Sequence, residues 1–195
     1  MTTTTYVDNI LDILDRATDA EYTSGMYWYV SANALAWELD FVDYRRAAGV
    51  IAALSPRLRW DKNVAYARLA YSLKGYDVTP EILSYIPTLN NSRTKALAMV
   101  NGARPENVLG NGLKTNAFYD NIARPYDSLA VTVDKHAFDI ANNLRTPYKG
   151  MVITDKVYRS MADAYAIAAR EVGILPMQVQ AITWVAWRNI VGSDK

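Results

Sequence analysis

Gly110-Asn111-Gly112-Leu113-Lys114-Thr115, followed by a helical run through Ile122, a loop, and Val131-Thr132-Val133-Asp134-Lys135-His136-Ala137, is the stretch that decides the fold. Two glycines spaced G-x-G let the backbone turn through conformations other residues resist and leave amide N–H groups bare. Lys114 stands just beyond them at the start of a helix, and bare amides beside a lysine suit a phosphate. In the second half, Val131 and Val133 anchor the chain, and Asp134 is placed to cap the helix that Ala137, Ile140 and Ala141 continue. The expectation is a lysine and a carboxylate flanking one cleft.

Working outward, the chain reads as helices with short connectors. Val7, Ile10, Leu11 and Leu14 recur at helical spacing after Thr5, which is read as the cap, with Met1–Thr5 as a disordered lead. Tyr22–Gly25 reads as a turn, and Met26 to Leu39 as a helix apolar on most sides. Asp43 caps Tyr44 to Leu54, and Pro56 stops that helix. Asp61 is read as the cap of Lys62 to Leu73, Thr79-Pro80 opens a short helix, and Ser92 to Val100 forms the next. Pro105 begins a stub leading into Gly110. A polar loop spans Leu144–Gly150, then come Asp155 to Val172, closed by Gly173, and Met177 to Val191 behind Pro176. No strand-like alternation of any length survives, so the fold class is all-α with about nine helices and no linker between domains.

Composition limits the chemistry. Hydrophobic residues are 51% and charged residues 21% of the 195, and the formal charge is only +1, so any surface for nucleic acid must be a local patch. There is no cysteine, which removes disulfides, thiolate metal sites and iron–sulfur ligation. His136 is the single histidine, so a multi-histidine metal site is excluded; no metal and no cofactor are expected. Charges interrupt every long apolar run, and neither a signal peptide nor a membrane span is read, giving a cytoplasmic expectation and no membrane partner.

The Gly-x-Gly-x-Lys-Thr and Val-Asp-x-His-Ala segments together resemble the helix-hairpin-helix DNA glycosylase superfamily, of which endonuclease III is the familiar member. Ala53-Leu54-Ser55-Pro56 is similar to that family's Leu-Leu-Ser-x-Gln segment near its DNA-penetrating loop, and Asn91-Ser92-Arg93-Thr94-Lys95-Ala96 to its Asn-Ser-Lys-Ala helix start. In order, the four pieces cover roughly residues 43 to 141. Ala-Leu-Ser-Pro-Arg, Val-Asp-x-His-Ala and Gln-Ala-Ile-x-Trp are also similar to segments of a small phage and actinobacterial branch, which would set the chain in a host cytoplasm.

The resemblance implies a single domain over 1–195 in two lobes around a central cleft: 43–141 with the hairpin and catalytic-type segment, and 1–42 plus 142–195 from the chain's two ends. It implies Asp134 as the catalytic carboxylate and Lys114 as the amine of bifunctional members, with Gly110, Gly112 and Thr115 at a DNA phosphate. Arg57, Arg59 and Trp60 form a segment able to touch phosphates and a base, or else a plain helix connector. Arg93 and Lys95 would extend that patch, and His136 would hydrogen-bond within its loop as an auxiliary residue. Tyr27-Trp28-Tyr29 reads as core or as an aromatic wall for stacking a base, and the Trp184/Trp187 pair as core in preference to a cofactor box.

The implied activity is removal of a base from DNA by N-glycosidic cleavage. One rival is an enzyme of the same fold that modifies an activated hydroxymethyl-pyrimidine with a small-molecule amine or amino acid. Another is a non-enzymatic protein that holds a nucleotide or a partner, which near-neutral charge favours. Oligomeric state is left open.

Overall fold

A computed structural model describes residues 3–146 and 152–192; Met1 and Thr2 of the lead, residues 147–150 of the polar loop, Met151 and residues 193–195 lie outside them. The described residues are all-α, with no strand among them. Among them twelve helices run in order: α1 (Thr3–Asp15), α2 (Asp19–Met26), α3 (Trp28–Leu39), α4 (Tyr44–Leu54), α5 (Trp60–Ser72), α6 (Pro80–Ser84), α7 (Asn90–Val100), α8 (Pro105–Val108), α9 (Leu113–Ala123), α10 (Lys135–Asn142), α11 (Asp155–Val172) and α12 (Pro176–Val191). Of these, α2 is the helix that the sequence expects as a turn, and α8 is the stub expected before Gly110.

Several starts follow local chemistry. Asp43, Thr79, Asp134 and Thr154 each accept a backbone N–H three residues on, which satisfies an otherwise bare donor of the first turn. Others depart from the sequence reading. α1 is already helical at Thr3, so Thr5 lies inside it. α5 starts at Trp60 with Arg59 as its capping residue, and Asp61 sits in the first turn. α7 starts at Asn90, behind Leu89. Tyr22–Gly25 is no turn. Thr18 and Glu21 form a reciprocal capping box, with the Thr18 N–H donating to Glu21 Oε2 at 2.8 Å, and it starts α2 ahead of that segment.

The chain divides into two compact units, residues 1–30 with 124–195 and residues 31–123, the division falling within α3. The sequence reading draws its boundaries at 42/43 and 141/142; Asp134 belongs to the unit formed from the chain's ends and Lys114 to the central one.

In the unit from the chain's ends, α12 packs on α1, α2, α10 and α11. It buries Met177, Val179, Ile182, Ala186 and Trp187, and α1 adds Ile10 and Ile13. In the central unit, α4 is buried over every residue from Ala47 to Leu54 and packs on α5, α7, α8 and α9. Gly49 is why α7 and α8 approach so closely: a Cβ there would meet Pro105 Cγ at 2.8 Å and Met99 Sδ at 2.9 Å. Ahead of α4, buried Asp40 accepts from Arg46 Nη2 at 2.8 Å and from the Asp43 N–H at 3.1 Å, fixing the loop from α3. Desolvation pushes the Asp40 carboxyl up, but the Arg46 guanidinium and the Asp43 N–H together outweigh it and hold the carboxyl below the usual range.

Candidate functional site

The hairpin comprises α8, the turn Leu109–Gly112 and α9. Gly110 has φ +77, which favours glycine, whereas Gly112 is outside the left-handed region. Only the first glycine of the pair is thus demanded by backbone conformation. The turn's carbonyls are bound from within. Lys95 Nζ donates to the Leu109 carbonyl at 2.8 Å, and Asn116 Nδ2 donates to those of Gly110 at 2.7 Å and Gly112 at 3.1 Å. Asn116 escaped the sequence reading, although an amide in the first turn after a glycine pair is the available signal. Tyr119 of α9 donates to Glu106 Oε1 of α8 at 2.9 Å, and burial with that carboxylate raises its phenol pKa. Lys114 is exposed in the first turn of α9, and Thr115 beside it is half-buried.

The basic residues separate into two groups. Arg93 donates from Nη1 to the Leu83 carbonyl at 3.0 Å and from Nε to Asn90 Oδ1 at 3.3 Å, closing the end of α6. With Lys95 tied to the Leu109 carbonyl, these two of the five cations expected at DNA are spent on backbone carbonyls, Arg93 at the end of α6 and Lys95 at the hairpin turn. Arg57 and Arg59 are exposed on the turn between α4 and α5, and Arg57 adopts φ +63, uncommon for a side-chain-bearing residue. Arg59 Nε lies 3.4 Å from Asp61, both well exposed, and Trp60 is half-buried.

The carboxylate is built in the other unit. Val131, Thr132 and Val133 are buried, and the Tyr158 hydroxyl pins them, donating to the Val131 carbonyl at 2.7 Å and accepting the Val133 N–H at 3.2 Å. Burial pushes the Tyr158 phenol up to about 12. Asp134 follows as the cap of α10. Its Oδ1 accepts the Ala137 N–H at 2.9 Å, and its Oδ2 accepts the Trp184 indole N–H at 3.2 Å. Of the tryptophan pair expected in the core, Trp187 is buried and Trp184 is half-buried, with the Arg188 guanidinium 4.4 Å over the Trp184 ring and Trp28 edge-on at 6.3 Å. His136 stands edge-on to it at 6.1 Å.

His136 does not hydrogen-bond through Nδ1, which is buried without a partner, and burial lowers its pKa against the opposing pull of Asp134. One helical turn on, buried Asp139 pairs with Lys135 at 2.6 Å and accepts the Thr146 N–H at 3.2 Å. Tyr165 is fully buried and its hydroxyl has no partner within hydrogen-bond geometry, so burial raises its pKa. Among the described residues no group of three His, Cys, Asp or Glu side chains could hold a metal ion. A surface cavity of about 400 Å³ lies in the central unit, lined by Asp43, Arg45, Arg104, Pro105, Glu106, Asn107 and Tyr119, none of them among the site residues expected from sequence.

These features define an all-α protein with a glycine-turned helical hairpin and, in its other unit, a helix-capping carboxylate fixed by a tryptophan. The chain belongs to a family of unknown function, DUF7178, whose profile matches residues 1–191. No curated protein and no solved structure matches it. Among the described residues no helix is long and apolar enough to cross a membrane.

Proposed function

We propose that this protein acts on a nucleobase in DNA, cleaving the N-glycosidic bond in the manner of the helix-hairpin-helix glycosylases. The observation that carries the reading is Asp134, a half-buried carboxylate with one donor on each oxygen, standing at the motif position of that family's catalytic aspartate. A base leaves only after its nucleotide is extruded from the stack, and positive charge then develops on the sugar. A carboxylate already oriented stabilises that charge without reorganising as the bond breaks. Exposed Lys114 supports a phosphate contact more than attack on the sugar, because a nucleophilic amine is usually activated by desolvation. Gly110, Gly112 and Thr115 would share that phosphate, with Arg57, Arg59 and Trp60 as further contacts. A cytoplasmic setting goes with this reading.

A second reading is a non-enzymatic protein that holds a nucleotide or a partner. It is favoured by the structural commitments of Arg93 and Lys95, which take two cations away from any DNA surface, and by the occupation of Asp134 Oδ1 as a helix cap. Incubation with oligonucleotides carrying damaged and modified bases, followed by mass spectrometry, separates the readings. A mass loss equal to the free base less the water that takes its place on the sugar is expected, forming at a rate that falls on the order of a hundredfold or more in Asp134→Asn. A mass change equal to an amine gained less the activating group it displaces would mean modification; binding without any mass change would favour the binder. Wild-type turnover by Asp134→Asn would end the glycosylase reading.

A further inference from the structure

We infer that Trp184 is a positioning residue, the side chain that sets the direction of the Asp134 carboxylate. The inference rests on the proposed role of Asp134 for its meaning in catalysis, but its geometric content stands apart from it. A helix cap fixes only one carboxylate oxygen and leaves rotation about the Cβ–Cγ bond loosely determined, since that terminal torsion is broad. Here the second oxygen accepts an indole N–H from α12, 50 residues along the chain, at 3.2 Å. The indole is itself held: the Arg188 guanidinium lies over its face at 4.4 Å, and Trp28 and His136 stand against it at 64° and 87°. A tryptophan serving only to fill space would not need its one polar atom aimed at a carboxylate. With a donor on each oxygen, the carboxylate plane is fixed.

The same geometry makes asparagine an imperfect substitute at 134. Its one oxygen can accept the Ala137 N–H, but its amide N–H₂ then faces the Trp184 N–H, donor against donor. Removing the indole N–H should relieve that conflict, so the two positions are energetically coupled.

The test is a double-mutant cycle in the full chain with Asp134→Asn and Trp184→Phe, read by thermal melting and by the Trp184 indole N–H in proton–nitrogen spectra. Asp134→Asn is expected to lower Tm by roughly 2–4 °C in the wild-type background. In the Trp184→Phe background it should cost clearly less, and in Asp134→Asn alone the Trp184 indole resonance should move. On whichever substrate the oligonucleotide panel identifies, Trp184→Phe should lower kcat on the order of tenfold with KM nearly unchanged, because a displaced carboxylate loses alignment and not binding. Equal Tm losses in both backgrounds, with an unmoved indole resonance, would overturn the inference. So would wild-type kcat in Trp184→Phe. If no oligonucleotide is altered, the glycosylase reading fails; a coupled cycle would still establish Trp184 as what holds Asp134.

Discussion

His136 is the only imidazole in the chain, and its neighbours set the sign of its effect on stability. Burial disfavours the charged ring and lowers its pKa; Asp134 opposes this, while Lys135 and Arg188 add to it. A group whose folded pKa lies below its unfolded value contributes stability that is complete above the unfolded pKa and is lost as pH falls towards the folded one. Between about pH 7.5 and pH 5 the wild-type Tm should fall, and His136→Gln should flatten the decline. Equal Tm profiles for the two proteins over that window would show that the ring titrates alike in both states. At this scale the sequence disclosed what is local: Asp134 caps α10 through a bond to Ala137, three residues away. It could not disclose the Trp184 bond, because that partner arrives by the packing of α12, nor that His136 Nδ1 would be left without a partner.

Elements with a cap and a stop in sequence were legible, and elements defined by approach were not. Asp43, Thr79 and Asp134 announce α4, α6 and α10, and Gly173 with φ +74 ends α11 where left-handed backbone is required. The error at α2 has one cause: Gly25 reads as a breaker, yet it lies inside the helix with φ outside the left-handed region. Its missing side chain is needed for contact, because a Cβ would meet the Ile182 Cα and would lie 2.6 Å from the Ile182 nitrogen. Backbone cannot move aside as a flexible side chain does, so α2 would have to lift from α12. We expect Gly25→Ala to cost about 2–4 kcal/mol in urea unfolding despite alanine's better helix propensity. A gain in stability would instead place Gly25 among ordinary helical glycines. The glycine pair of the hairpin divides in the same way, since only Gly110 has a backbone reason to be glycine.

At the scale of the whole molecule, 21 basic against 20 acidic residues give no field to draw in DNA, so the proposed binding would have to come from individual cations not already committed within the fold. Five such residues were read from sequence: Arg57, Arg59, Arg93, Lys95 and Lys114. Arg93 and Lys95 already donate to the carbonyls of Leu83 and Leu109, and moving either to a phosphate would strand a helix end or the hairpin turn. Arg59 is only lightly held, since its partner Asp61 is as exposed as it is and such pairs contribute about 0–1 kcal/mol. Three cations therefore remain for phosphates. At about 0.9 per contact, the slope of log affinity against log salt for duplex DNA should be near −2.7, not the roughly −4.5 that five would give. Lys114→Gln should make the slope shallower by about one and leave Tm unchanged, whereas Lys95→Gln should lower Tm and leave the slope alone. Filter binding across a salt series checks both, and a slope that Lys95→Gln reduces as much as Lys114→Gln would return Lys95 to the DNA surface.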